Sequence, residues 1–131
     1  MSSQQDPTAV RVARAHVNAW GGHDYDSARA SLATDVHVVV MSVDPDAPRV
    51  DTTGIEDYMQ GLVQFGHAVL PGTTEVSSAV GDATRALLRV TSRVKFGPDA
   101  PEMTLEAARL YRLDGEQKIV DEQVIFFIAP Q

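Results

Sequence analysis

MTLEAARLYRLDGEQKIVDEQVIFFI, residues 103–128, holds two long alternating runs joined by Asp114-Gly115-Glu116-Gln117. With that tetrapeptide as a four-residue hairpin loop, Leu113 faces Lys118, Tyr111 faces Val120, Arg109 faces Glu122, Ala107 faces Val124 and Leu105 faces Phe126. Successive side chains of a strand point to opposite faces. One face then carries Met103, Leu105, Ala107, Arg109, Tyr111, Val120, Glu122, Val124, Phe126 and Ile128. The other carries Thr104, Glu106, Ala108, Leu110, Arg112, Ile119, Asp121, Gln123, Ile125 and Phe127. The first set is the more apolar and is assigned to the core. A one-residue slip in the turn would exchange the two sets.

Upstream, Thr73–Val80 and Thr84–Phe96 read as two more strands, separated by Gly81-Asp82 and followed by the break Gly97–Pro101. In the second of these, Ala86, Leu88, Val90, Ser92, Val94 and Phe96 form the inner set. Arg85, Leu87, Arg89, Thr91, Arg93 and Lys95 form a solvated or interfacial outer set. Val36–Met41 is short and β-branched, a buried strand, and Val50–Thr52 is a brief one. Between them Val43–Arg49 is the tip of a hairpin. Pro-Asp-Ala-Pro recurs at 45–48 and 98–101 as two hairpin loops, with no structural repeat.

Three helices precede the long strands. Asp6-Pro7 reads as N-cap and first helical residue, with Val10, Ala13, Val17 and Trp20 at helical spacing up to Gly21-Gly22. Asp24 caps a shorter helix with Tyr25, Ala28 and Leu32 on its inner side. Thr53-Gly54-Ile55-Glu56 fits a capping box for a third, whose apolar face is Ile55, Tyr58, Met59, Leu62 and Val63 and which Pro71-Gly72 stops. Consecutive long strands with short turns pair antiparallel. The expected fold is therefore α+β: a curved, mostly antiparallel sheet packed by three helices of the N-terminal half around an apolar pocket.

The 131 residues are one domain's worth, residues 1–131, with 1–6 expected to be disordered. The chain is 44% hydrophobic and 22% charged, as globular chains are. It has no cysteine, which excludes disulfides and thiolate chemistry. A net charge of −7 argues against nucleic acid or an anionic membrane as partner. No apolar run reaches the length of a membrane span, and Met1–Asp6 lacks the pattern of a signal peptide. A cytoplasmic protein is expected.

The chemistry centres on Arg109 and Glu122, a charge pair set within an otherwise apolar face. A buried ion pair is costly to desolvate, so stability gives little reason to place one there. Two readings stay open. In one, Arg109 binds an anionic or carbonyl group at the polar end of a pocket and Glu122 orients it or acts as base. In the other, the pair is structural, at the rim of the sheet. Of the four histidines, His23, His37 and His67 fall in a turn, on the outer strand face and at a helix end. His16 lies beside the inward Ala13, Val17 and Trp20 and is placed in the pocket. No histidine pair has metal-binding spacing. Tyr58, Phe65, Trp20 and Tyr25 are core aromatics that also close the pocket.

The chain resembles the nuclear transport factor 2-like (cystatin-like) superfamily, including SnoaL-like and ketosteroid-isomerase-like proteins, from about Pro7 to Ile128. The resemblance rests on Ala19-Trp20-Gly21-Gly22-His23-Asp24-Tyr25-Asp26, Leu32-Ala33-Thr34-Asp35-Val36, Thr53-Gly54-Ile55 and Asp114-Gly115-Glu116-Gln117-Lys118-Ile119-Val120, in that order. It implies a cone-shaped α+β domain with an apolar cavity, commonly dimeric. It does not imply one activity. Ketosteroid isomerase uses an aspartate base and a tyrosine–aspartic acid oxyanion hole. By spacing, those positions fall on Val40, His16 and Arg109, so that reaction is not expected. The Asp–Arg–Asp pattern of limonene-epoxide-hydrolase-like enzymes is also incomplete, because Ala107 and Val124 are not acids.

The resemblance implies an isomerase-, cyclase- or hydrolase-type enzyme acting by acid–base chemistry on a small apolar carbonyl or carboxylate compound. Glu122 and His16 are the proton-moving candidates. Arg109, Trp20, Tyr58, Val40, Tyr111 and Phe126 are the substrate-binding candidates. No metal or organic cofactor is implied. A homodimer is expected, because Leu110, Ile125 and Phe127 would otherwise expose an apolar patch. A non-catalytic domain that binds a ligand or a protein partner is the competing reading.

Overall fold

A computed structural model describes residues 6–127 of the chain. Its elements are α1 (Thr8–Gly21), α2 (Tyr25–Ala30), β1 (Leu32–Ser42), β2 (Val50–Thr53), α3 (Ile55–Gly66), β3 (Glu75–Gly81), β4 (Arg85–Val94), β5 (Met103–Leu113) and β6 (Ile119–Phe127). The six strands form one curved, unclosed sheet in the order β2-β1-β6-β5-β4-β3. Only β1 and β6 pair in parallel; every other neighbour pair is antiparallel. Of residues 1–6, expected to be disordered, 1–5 lie outside the described residues, as does Ile128, expected in the last strand, while Asp6 is described and pairs with Arg14.

The helices cover one face of this sheet. Along α1, Ala9, Val10, Ala13, His16, Val17 and Trp20 recur on one side and are buried, the stripe of an amphipathic helix laid on a core. Gly21 closes it where a Cβ would come 2.6 Å from the Thr74 side chain. Tyr58, Met59 and Leu62 bury the inner face of α3. In β4 the alternation is complete: Ala86, Leu88, Val90, Ser92 and Val94 are buried between exposed Arg85, Leu87, Arg89 and Arg93.

Several expectations need correction. Pro7 occupies the N-cap position itself and α1 has no side-chain cap; Asp6 instead pairs with Arg14 at 3.3 Å. Leu32 begins β1 and is not on α2, because α2 ends at Ala30 and Ser31 O accepts Ile119 N at 2.8 Å. β1 is accordingly longer than Val36–Met41. The capping box of α3 does not form: Gly54 is the N-cap, and Glu56 pairs with Arg29 of α2. That helix stops at Gly66, well before Pro71, since Ala68 and Leu70 hydrogen-bond to the end of β4 through Lys95 and Arg93. Phe96 lies beyond β4 and is exposed.

The decisive hairpin differs by two compensating steps. Asp114 N donates to Lys118 O at 2.8 Å, so the loop has one residue fewer than expected, and Gln117 takes a left-handed φ of 62° to close it. The ladder then shifts between Leu113↔Ile119 and Arg112↔Asp121, which leaves Val120 as a bulge. The two steps move the register by two residues in total, so the inner and outer sets survive. The partners change: Arg109 faces Val124 and Glu122 faces Tyr111. Ile119, assigned to the outer face, turns inward beside Leu113 and is fully buried.

Candidate active site

A cavity of about 320 Å³ opens between α3 and the edge strand β2. Its exposed lining residues, Val50, Asp57, Gly61 and Gln64, mark the mouth. Val38, Val40, Leu62, Phe65, Val124 and Phe126 form apolar walls, and Arg109, Glu122 and Tyr58 form the buried floor. β1, β5 and β6 place this floor because Val40, Arg109 and Glu122 share the inward face of adjacent strands.

Arg109 is 5% exposed and Glu122 is 3% exposed. They are diagonal neighbours, with Nη1 3.5 Å from Oε2. The guanidinium lies over Trp20 at 4.7 Å from the ring centre, with Phe126 at 5.8 Å and Phe65 at 5.9 Å. Aromatic faces attract a cation and hold this one in place. Arg109 Nε and the Tyr111 hydroxyl have no hydrogen-bond partner among the described residues. The arginine therefore keeps donor capacity beyond its long contact with Glu122.

Tyr58 donates to Glu122 Oε1 at 2.6 Å, and its hydroxyl oxygen lies 3.0 Å from His16 Nε2. On the far side of the ring, His16 Nδ1 lies 2.9 Å from Ser31 Oγ and 3.0 Å from the Ala28 carbonyl oxygen. Burial lowers the pKa of His16, against the upward pull of Glu122. Burial, reinforced by Glu122, pushes the Tyr58 and Tyr111 hydroxyls well above the ordinary tyrosine value, so both stay protonated.

Of the residues singled out in the sequence, Glu122, Arg109, Tyr58, Val40, Phe126 and Phe65 line the cavity, whereas Tyr25 does not and stacks on His23 instead. His16, Trp20 and Tyr111 stand one layer behind it: Trp20 under the guanidinium, Tyr111 opposite Glu122, and His16 behind Tyr58. Ser31, Val38, Leu62 and Val124 were not among the site candidates, although the sequence places Leu62 and Val124 on inward faces. Val38 and Val124 share the alternation of Val40 and Glu122, which was signal enough to include them. Ser31 carried no signal, since its role depends on a helix end meeting α1. A second polar group, on the outer face, was also missed. There His37 reaches Asp51 at 2.7 Å and Asp121 at 3.3 Å. Among the described residues no group of three or more His, Asp or Glu side chains is arranged to hold a metal ion, and no helix is long and apolar enough to cross a membrane.

An open six-stranded sheet packed by helices is the fold of the nuclear transport factor 2-like superfamily. Within it the chain belongs to the SnoaL-like domain family, whose model matches residues 13–122. A protein from Kribbella flavida is 28% identical, with a TM-score of 0.69 over 91% of this chain and 86% of its own. An LEH-like epoxide hydrolase from Mycobacterium tuberculosis is 20% identical, with a TM-score of 0.68 over 91% and 82%. A protein of ketosteroid isomerase-like fold from Catenulispora acidiphila, in complex with trimethylamine, is 16% identical, with a TM-score of 0.71 over 92% and 85%. The last two likenesses are likenesses of fold. No curated protein matches the chain.

Proposed function

We propose that this SnoaL-like protein is an acid–base enzyme that binds a small apolar molecule through a carbonyl or carboxylate oxygen. The observation that carries this reading is the buried Arg109–Glu122–Tyr58 floor of an otherwise apolar cavity. A pair held at 3.5 Å is a poor return on the desolvation of two charges, whereas an arginine with a spare donor suits an incoming oxygen. Arg109 holds the substrate oxygen. Glu122 takes a proton from the adjacent carbon, and the C–H electron pair moves onto the oxygen that Arg109 stabilises. The proton then returns elsewhere on the molecule, or the carbanion attacks a second carbonyl. The aromatic and valine walls select an apolar body.

The test is turnover on small apolar ketones, with loss of deuterium from the carbon next to the carbonyl as readout. Glu122→Gln should bind but not exchange, and Arg109→Met/Glu122→Gln should do neither. Full exchange in folded Glu122→Gln would remove that residue from the mechanism.

We further infer a homodimer. Val80, Leu87, Leu110 and Phe127 are 65%, 45%, 38% and 37% exposed on the sheet face away from the helices, more apolar surface than scattered single residues supply.

A further inference from the structure

An apolar molecule seated in the cavity closes its mouth between α3 and β2. Glu122 is then cut off from water on that side and needs another way to exchange its proton. The opposite side of the floor offers one. From Glu122 Oε1 the contacts run 2.6 Å to Tyr58, 3.0 Å on to His16 Nε2, and 2.9 Å from His16 Nδ1 to Ser31 Oγ. Ser31 is half-buried at the junction of α2 and β1, the first group along this line with access to solvent.

We propose that Ser31, His16 and Tyr58 form a proton relay that joins Glu122 to the surface behind the cavity, with Ser31 as its outer end. This rests on the acid–base reading of Glu122.

The donors and acceptors can be assigned from the contacts. Tyr58 has one hydrogen and gives it to the carboxylate. Its oxygen therefore accepts from His16 Nε2–H, which leaves Nδ1 as an acceptor for the Ser31 hydroxyl. All donors then point from Ser31 towards Glu122. One concerted shift moves the Ser31 proton to Nδ1, the Nε2 proton to Tyr58 and the Tyr58 proton to Glu122. Ser31 regains a proton from solvent water, which leaves as hydroxide, and no phenolate or imidazolium is left behind. The reverse shift drains Glu122: starting from the Nδ1–H ring, the Glu122 proton passes to Tyr58, the Tyr58 proton to Nε2 and the Nδ1 proton to Ser31, which gives one to water, and the ring is again protonated on Nε2.

The site can hold either alignment without moving a heavy atom. The single Ser31 hydrogen has two acceptors within reach, His16 Nδ1 at 2.9 Å and the Ala28 carbonyl at 2.8 Å, and that carbonyl lies 3.0 Å from Nδ1 to accept a hydrogen bond from Nδ1–H once the ring has shifted. The other groups facing His16 are Tyr111, at 6.0 Å between rings, and the charges of Glu122 and Arg109. None of these competes for either ring nitrogen. Ser31 and His16 are positioning residues here, since neither reaches the cavity.

The test uses ¹⁵N-labelled full-length protein without ligand, read by the imidazole nitrogens of His16 in wild type, Ser31→Ala and Ser31→Thr. The neutral wild-type ring should carry its proton on Nε2. Ser31→Ala should move it to Nδ1, against the Ala28 carbonyl, and slow exchange of the ring N–H with water by on the order of 100-fold, the scale of one positioned proton-transfer partner. Ser31→Thr should restore both. A wild-type ring already protonated on Nδ1, or a tautomer and exchange rate unchanged in Ser31→Ala, would overturn the relay. Should Ser31→Ala fail to fold, the wild-type tautomer alone decides. No ligand enters the measurement, so its failure leaves the ligand reading standing, and the converse holds.

Discussion

Arg109 and Glu122 are diagonal neighbours on β5 and β6, 3.5 Å apart at Nη1 and Oε2, each facing an uncharged residue directly across the ladder. That geometry has an energetic signature. Removing one buried partner leaves the other charge uncompensated, at a cost of about 3–5 kcal/mol, while replacing both with apolar residues of similar volume is often neutral or stabilising. Glu122→Leu alone should be destabilised on that scale, and Arg109→Met/Glu122→Leu should recover most or all of the loss. Denaturant unfolding of the two variants checks this. A double variant as unstable as the single would mean that the pair itself supports the fold.

Tyr58 ties α3 to both β6 and α1 through one hydroxyl. Tyr58→Phe keeps the ring and strands His16 Nε2 and Glu122 Oε1. It should cost roughly 1–3 kcal/mol, the range for a buried group left without its partner. The His16 ring signals should move as well. A variant as stable as wild type, with unmoved His16 signals, would show that the 2.6 Å and 3.0 Å contacts contribute little.

Two histidines should bend the stability–pH curve in opposite directions. The hydrogen bond to Asp51, helped by Asp121, raises the pKa of His37 above 6.5 in the folded chain. Its contribution is complete below the unfolded value and fades as pH rises through the folded one. His16 is lowered by burial from the same reference. Its contribution is complete above 6.5 and is lost as pH falls towards the depressed folded value. Melting temperatures taken between about pH 5 and pH 8 should show a weaker alkaline loss in His37→Gln and a weaker acid loss in His16→Gln. His37 is half-exposed, so its effect should also shrink in high salt.

The outer apolar patch predicts association. Leu110→Asp places a charge in its middle, beside Leu87 on the neighbouring strand, and should convert a dimer to a monomer in sedimentation at unchanged helix and strand content. A wild-type chain that sediments as a monomer would remove the dimer.

The strands were legible because a half-buried sheet writes its two faces as alternation. β4 follows that pattern from end to end, and β5 from Ala107 to Leu113. Apart from Ile119, which turns inward, the inner and outer faces of the last hairpin came out right although its register did not, because a loop one residue shorter and a bulge at Val120 shift the ladder together by an even step. Neither is marked in the sequence: Gln117 in the left-handed region and an extra Val120 resemble any other polar or β-branched residue. Arg109 and Glu122 were visible as charges in an apolar face. The chain from Glu122 through Tyr58 to His16 and Ser31 was not, since it joins residues 64, 42 and 15 positions apart on elements whose relative placement only packing decides. Tyr58 and His16 were each placed at the pocket without a link between them, and Ser31 carried no signal.

The most direct test of the central reading is ligand-induced stabilisation. Wild type and Arg109→Met/Glu122→Gln, both checked for native fold, are melted against a panel of small apolar ketones and carboxylates. A ligand that binds only the folded state stabilises it by about 2.7 kcal/mol at a hundredfold excess over Kd. The account predicts at least one member that raises the wild-type melting temperature and leaves the double variant unmoved. A ligand that stabilises both equally would place binding away from the Arg109–Glu122 floor and contradict the account.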